Sequence, residues 1–398
     1  MIPVHQVLAT LGYGDAIGHE VLGIRRILRS AGYESDIFVE TADPRLESTT
    51  RDYHELRDVS RADQLLLHHF SIGSKASRTA FALPDRMALI YHNITPARYF
   101  AGFNETLARQ CYFGRRELRA YATRCDLALG DSMYNKEELD RLGFRRTDVL
   151  PVVPDFSHLD SEPNTMLARQ FDDDWTNILF VGRVVPNKKI DDLVRFFHAY
   201  QREFNPRSRL LIVGSQIGFD RYMTALHHLI AALGVSHVHF IGQVSDEELV
   251  AFYDVADLFL CASEHEGFCV PLLEAFYTEV PVVAFAAAAV PATMDGAGIL
   301  YNSKDPLAVA ALMDGVVSDA ALQDRIVDGQ LAAVDRLRAK DFAGMLLGFV
   351  RDVLSRPRAT PPHVVPDFWQ QFDATEALEE LRFDRPAIYS ALPPEPRR

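Results

Sequence analysis

The chain has 398 residues, 48% hydrophobic and 24% charged, and its 55 acidic and 41 basic side chains leave a net charge of -14. This length exceeds one ordinary hydrophobic core and points to two domains, and the composition is that of a soluble globular protein. An acidic balance repels phosphate backbones at long range, so no nucleic-acid partner is expected, although a local basic patch can still hold a nucleotide diphosphate or rest on anionic lipid.

The four cysteines, Cys111, Cys125, Cys261 and Cys269, form neither a Cys-x-x-Cys pair nor a zinc spacing. Free thiols of this kind fit a reducing compartment. The N-terminal residues lack a basic segment followed by an apolar one, and the longest apolar run, about residues 280–291, is too short to span a bilayer. The expectation is a cytoplasmic chain, at most peripheral at the inner face of a membrane.

In chain order, residues 4–11 read as a strand, 12–18 as a glycine-rich turn and 19–31 as a helix stopped by Gly32. Strand-like runs follow at 36–39, 64–68, 87–91, 127–130 and 148–153, with helical spacing at 102–123 and 135–142 between them. Around Pro151, Pro154 and Pro163 the texture becomes acidic and proline-rich, which reads as an extended, solvated linker. A second series then begins, with strands at 177–181, 209–213, 238–241, 258–262 and 282–285. Helices at 191–200, 221–233, 246–254 and 272–278 alternate with them. Strands alternating with helices predict parallel sheets covered on both faces. The fold class is therefore α/β, with two Rossmann-like doubly wound domains: residues 1–160, a linker at 161–175, and residues 176–355. The extension 356–398, with a helical stretch at 375–382, has no assigned role.

Ligands of open α/β sheets bind beyond the carboxyl ends of the strands, so informative residues should follow strands. After the strand ending at Val181 come Gly182, Arg183, Lys188 and Lys189, cations suited to a diphosphate, although a solvated basic loop has the same composition. After residue 262 come Glu266, Gly267, Phe268, Cys269, Val270, Pro271 and Glu274. A helix starting near Val270 would aim its free N–H groups at a phosphate, leave Glu266 in the loop and place Glu274 on the first turns. The alternative is two solvated carboxylates. The turn containing Gly14, Asp15 and Gly18 departs from G-x-G-x-x-G and serves equally as a phosphate loop or a plain turn. His92 follows a strand, as either a site residue or a structural hydrogen-bonding histidine. His68-His69 has a similar location, whereas His227-His228 falls within a helical pattern. Asp172 to Asp174 precede a strand and read as solvated charge rather than a metal grip, and His265-Glu266 is not part of H-E-x-x-H.

The segments "FVGRVVPNKKIDDLV", "LLIVGS", "VHFIGQVSDEELVAFYDVADLFLCASEHEGFCVPLLEAF" and "PVVAF" together resemble the family-4 retaining glycosyltransferases of GT-B fold, collinearly over about residues 178–300. "GYGDAIGHEVLGIRRIL" and "YHNITP" look like the subgroup that builds bacterial surface polysaccharides. The resemblance implies that Arg183 and Lys188 neutralise the donor diphosphate and that Glu274 binds the donor ribose. Glu266, with the backbone of Gly267 to Cys269, would hold the transferred sugar, and Gln243 and Val244 would lie against the base. His92 would face the sugar and the acceptor, and the loop from Gly14 to Gly18 would approach the phosphates or the acceptor. Lys189 departs from the family, many of whose members have glycine there, so either lysine is available for the phosphates. The implied activity is transfer of a mannose- or glucose-type hexose from a GDP- or UDP-sugar to a saccharide or lipid-linked saccharide, with no metal or other cofactor. The alternatives are a nucleotide-sugar-binding protein without turnover and an epimerase of the same fold.

Overall fold

The computed structural model describes residues 2–12, 16–152, 155–357, 382 and 385–391. The first domain holds β1 (Val4–Leu11), β2 (Ile37–Ala42), β3 (Arg51–Asp52), β4 (Leu65–Phe70), β5 (Arg86–Tyr91), β6 (Leu127–Gly130) and β7 (Thr147–Val149). These pair in parallel in the order β3-β2-β1-β4-β5-β6-β7. Its helices are α1 (Ala16–Ser30), α2 (Leu56–Val59), α3 (Lys75–Ala82), α4 (Glu105–Tyr121) and α5 (Met133–Arg141). The second sheet runs β10-β9-β8-β11-β12-β13, also parallel. Its strands are β8 (Thr176–Val181), β9 (Ser208–Val213), β10 (Val238–Gly242), β11 (Leu258–Cys261), β12 (Val282–Phe285) and β13 (Ile299–Tyr301). Around it lie α6 (Thr165–Phe171), α7 (Ile190–Glu203), α8 (Asp220–Leu233), α9 (Asp246–Asp254), α10 (Val270–Tyr277), α11 (Val290–Met294), α12 (Pro306–Val317) and α13 (Ala320–Arg338). The last long helix among the described residues is α14 (Phe342–Ser355). No described helix is long and apolar enough by itself to cross a membrane.

Local chemistry sets these boundaries. Ser74, Asn104, Ser132, Asn164 and Asp319 each cap a helix by accepting from a backbone N–H of its first turn. Ser245 and Glu248 form a reciprocal capping box on α9. Gly32, at a φ of 85°, ends α1 as its position predicts. Every residue of β4, β5, β6, β9 and β11 is buried, as in parallel sheets covered on both faces.

Three expectations need correction. The strand read at 148–153 ends at Val149, and the stretch read as an extended linker contains a 3-10 turn, Ser157–Asp160, and α6. Phe156 and Leu159 pack into the second domain's core with Phe259, Leu272 and Phe276, so the first domain ends before 160. The chain also crosses back: Leu346, Val350 and Val353 of α14 join Val4, Leu28, Leu65 and Ile90 in a first-domain core, so the second domain does not run to 355. Sequence periodicity reveals an apolar face but not which of two sheets will cover it. The helix expected at 375–382 lies outside the described residues except for Arg382.

The domains share an apolar seam. Phe100 and Phe103 precede α4 and meet Phe219 and Tyr222 of the second domain at ring-centroid distances of 5.8 and 5.2 Å. All four belong to, or pack against, one continuous core. If α14 is part of the first domain's core, Leu346→Ala should lower stability by about 2–5 kcal/mol in equilibrium urea unfolding. A change below about 0.5 kcal/mol would place that helix on the surface.

Candidate functional site

In the second sheet the strand order reverses at the β8/β11 neighbours, because β8 lies between β9 and β11. The loops after these two strands carry Arg183, Lys188 and Lys189 and the stretch from Glu264 to Cys269. The glycine after β9 is required: a Cβ on Gly214 would lie 2.2 Å from the Gly182 carbonyl oxygen, and both Gly182 and Gly214 have positive φ. Asn187 joins the loops, donating from Nδ2 to the His265 carbonyl at 3.0 Å, while the Glu264 N–H donates to the Asn187 carbonyl at 2.9 Å.

Lys188 ends a 3-10 turn and donates to both oxygens of Glu266, at 2.5 and 2.6 Å. Burial works against the ammonium, but Glu266 outweighs it and holds Lys188 above the ordinary lysine range. An ammonium has three N–H groups, so one remains for a further anion. Arg183 is exposed and makes no side-chain hydrogen bond or ion pair among the described residues. Lys189 is held differently. At a φ of 55° it occupies a backbone region that favours glycine, which accounts for the family's preference at this position. Its ammonium reaches Asp191 at 3.0 Å and Asp192 at 3.8 Å, within a network in which Lys304 binds Asp192 and Glu264 at 2.8 Å each. The structure thus separates two lysines that the sequence left equivalent.

Helix α10 starts at Val270, with Cys269 as N-cap at a φ of 80° and Pro271 in its first turn. Thr293 donates to the Phe268 carbonyl at 2.5 Å, fixing the loop just before the helix. Glu274 is buried, accepting from Tyr253 Oη at 2.9 Å and lying 3.2 Å from His158 Nε2. The hydrogen bond to Glu274 raises the His158 pKa above its usual value although burial opposes it. Gln243 is exposed and Val244 half-buried after β10, two strands from β8 on the same carboxyl edge.

The first domain closes against this site. A Cβ on Gly267 would fall 2.7 Å from the His92 carbonyl oxygen and 2.8 Å from Asn93 Cβ, so glycine alone permits the approach. Ser132 Oγ donates to the Gly267 carbonyl at 2.9 Å, and Tyr99 Oη donates to Glu264 Oε2 at 3.2 Å. His265 lies between the Tyr99 and Tyr134 rings, and burial together with Arg115, Arg98 and Lys188 lowers its pKa to about 4. A cavity of about 360 Å³ opens along this seam between Arg98, Phe103, Lys189, Arg195 and Leu229. It lies on the α7/α8 side, away from Glu274.

His92 follows a strand, as expected, and its ring is held by polar neighbours. Its ring is buried, with Nε2 2.9 Å from His69 Nδ1 and Nδ1 3.0 Å from Asp131 Oδ2. What it presents to the second domain is its carbonyl, because the strand-end backbone rather than the imidazole meets Gly267. His69, the second histidine of the 68–69 pair, lies within β4 and is held well below the usual histidine pKa by burial and then by His92. Burial pushes the Glu20 carboxyl up to about 8, against the pull of His92 and with the repulsion of Asp131. Gly18 is buried within α1 rather than in a turn, and Gly14 and Asp15 lie outside the described residues. Asp173 and Asp174 pair with Arg209 and Arg207, in keeping with their reading as solvated charge. Sequence reading missed Glu20, Asp131, His158, Tyr253 and Asn187. Only Asp131 and Asn187 carried a legible signal, by following strands.

Parts of the chain are similar to known proteins. Residues 164–330 match the family model for glycosyl transferases group 1. D-inositol 3-phosphate glycosyltransferase of Stackebrandtia nassauensis is 33% identical over 196 residues, 48% of this chain and 44% of that protein. O-antigen chain mannosyltransferase B of Escherichia coli is 29% identical over 133 residues, 33% of this chain and 34% of that one. The chain therefore spans less than half the length of the curated relatives it matches. Among solved structures, sucrose-phosphate synthase from Thermosynechococcus elongatus superposes with a TM-score of 0.68 at 18% identity, covering 89% of this chain and 99% of that one. Anabaena HepE, solved with UDP-glucose, gives 0.69 at 16% identity, covering 89% and 100%. Residues 164–330 are thus similar to the glycosyl transferases of group 1, and the two facing parallel sheets have the GT-B fold of the solved structures they superpose on.

Proposed function

We propose that the protein transfers a hexosyl unit, of mannose or glucose type, from a nucleoside diphosphate sugar to a saccharide or lipid-linked saccharide, with retention of anomeric configuration and without a metal at the diphosphate. The observation that carries this reading is the joining of Lys188, Glu266, the unpaired Arg183 and the start of α10 at one sheet switch point. The relatives named above as a mannosyltransferase and as a complex with UDP-glucose support a hexosyl donor.

Breaking an anomeric C–O bond to a diphosphate builds negative charge on the leaving oxygen. Arg183 and the third N–H of Lys188 would stabilise it, together with the free N–H groups of α10. Glu266, already oriented by Lys188, would accept from hydroxyls of the transferred sugar. Glu274 would exchange His158 and Tyr253 for the ribose hydroxyls. In front-face attack the departing phosphate takes the acceptor proton, so no enzymatic nucleophile is needed, and the closed seam keeps water out. The deciding experiment incubates the protein with GDP- and UDP-hexoses and saccharide acceptors and reads the product anomer by NMR. A retained glycoside supports the reading, whereas an inverted one, or an epimerised donor without acceptor, refutes it.

Arg183→Ala and Lys188→Ala should each lower kcat by about 10²–10³-fold. Lys189→Gly should stay within about three-fold, because its ammonium is held by Asp191 and glycine suits its backbone. Omitting Mg²⁺ should leave the rate unchanged.

A pH dependence follows from His158. Its pKa is raised in the donor-free state, so the His158–Glu274 pair stabilises that state fully below the ordinary histidine value and loses this as pH rises through the raised one. Donor binding that takes Glu274 should therefore tighten as pH rises from the ordinary histidine value through the raised one of His158. His158→Gln should flatten the profile of nucleotide Kd measured by calorimetry. A wild-type Kd that does not change over this range would show that His158 and ribose do not compete.

A further inference from the structure

A second polar cluster lies within the first domain, at the carboxyl ends of its central strands. Glu20 comes from α1, His92 directly follows β5, and Asp131 directly follows β6. All three are buried, and one ligand atom from each lies within 4.8 Å of the others. His92 Nδ1 is 3.0 Å from Asp131 Oδ2 and 3.7 Å from Glu20 Oε2. Both Glu20 oxygens and Asp131 Oδ1 are buried without a hydrogen-bond partner among the described residues.

The tautomer of His92 is set from outside the cluster. Gln6 Nε2 donates to the Val21 carbonyl at 3.1 Å, which leaves Gln6 Oε1 as the acceptor 2.9 Å from His69 Nε2. His69 therefore carries its proton on Nε2. It is buried with no carboxylate bonded to its ring, so it is neutral and its Nδ1 accepts. His92 must then donate from Nε2, and in its neutral form it turns the Nδ1 lone pair toward two carboxylates. Three electron-pair donors facing one another repel. A shared proton relieves one contact, whereas a cation relieves all three.

We propose that Glu20, His92 and Asp131 bind one divalent cation of the Mn²⁺ or Zn²⁺ type. One imidazole with two carboxylates suits these ions better than Mg²⁺ or Ca²⁺, which take oxygen ligands. The line from His92 through His69 to Gln6 is the outer-shell support that a metal-bound histidine requires. The cation would tie α1 to the ends of β5 and β6, and so brace the shelf of His92 and Ser132 against which Gly267 docks. All three ligands come from the first domain, and the binding of a cation there is tested without donor or acceptor.

The test uses the full chain, stripped with a chelator and titrated with Mn²⁺, Zn²⁺, Co²⁺ and Mg²⁺. Calorimetry, thermal shift and the visible absorption of Co²⁺ provide the readouts. The expected result is saturable binding of one Mn²⁺ or Zn²⁺ with a rise in Tm, Co²⁺ bands that shift on imidazole ligation, and no response to Mg²⁺. Glu20→Gln and Asp131→Asn, close in shape and relieved of buried charge, should keep the folded circular dichroism spectrum and weaken binding at least about ten-fold. Absence of saturable binding by the wild type would overturn the proposal, as would binding that both variants leave unchanged. A Tm that rises on Glu20→Gln in a protein indifferent to every cation would assign the cluster to a shared proton instead.

Discussion

The site depends on how closely two strand-end backbones approach each other. Gly267, in the loop after β11, sits against the His92 carbonyl and Asn93 at the end of β5 with no room for a Cβ. That contact sets the width of the cleft. Neighbouring hydrogen bonds from Ser132 and Tyr99 share its geometry, and the Phe100–Phe219 and Phe103–Tyr222 contacts supply the apolar area that keeps the domains together. A bulkier residue at 267 would separate the loop of Glu266 from the first domain without changing any charged group.

Within this frame the charges are sorted by backbone conformation. Lys188 and Lys189 are adjacent and chemically identical, yet the 3-10 turn directs the first to Glu266 and the left-handed residue after it directs the second to Asp191. Glu264 and Glu266 diverge in the same way, one toward Lys304 and Tyr99 and the other toward Lys188. A buried ion pair gains little net stability once desolvation is counted, so the Lys188–Glu266 pair does more to orient its two side chains than to hold the fold.

The first domain is built differently. Its polar groups form a line from Gln6 through His69 and His92 to Asp131, crossing β1, β4, β5 and the end of β6. Such a line fixes tautomers over several residues, so a change at Gln6 bears on the chemistry presented at Asp131. The helix α14 closes the molecule from behind by returning the chain to the first sheet after the second is complete.

Periodicity and strand-end position by themselves determined the alternating architecture and the placing of Arg183, Lys188 and Glu266 in loops after strands and of Glu274 on the helix that follows, because these are local properties of a βα repeat. Capping residues and Pro271 marked helix starts for the same reason. What the sequence could not decide was every relation across the chain. His158 and Glu274 are 116 residues apart, and Lys188 and Glu266 are 78 apart. Glu20 reads as one acidic residue of an amphipathic helix until the fold places it beside His92 and Asp131. The inward turn of the His92 ring, the return of α14 and the division of labour between Lys188 and Lys189 follow from packing and backbone dihedral angles. These exist only once both sheets have formed and closed on each other.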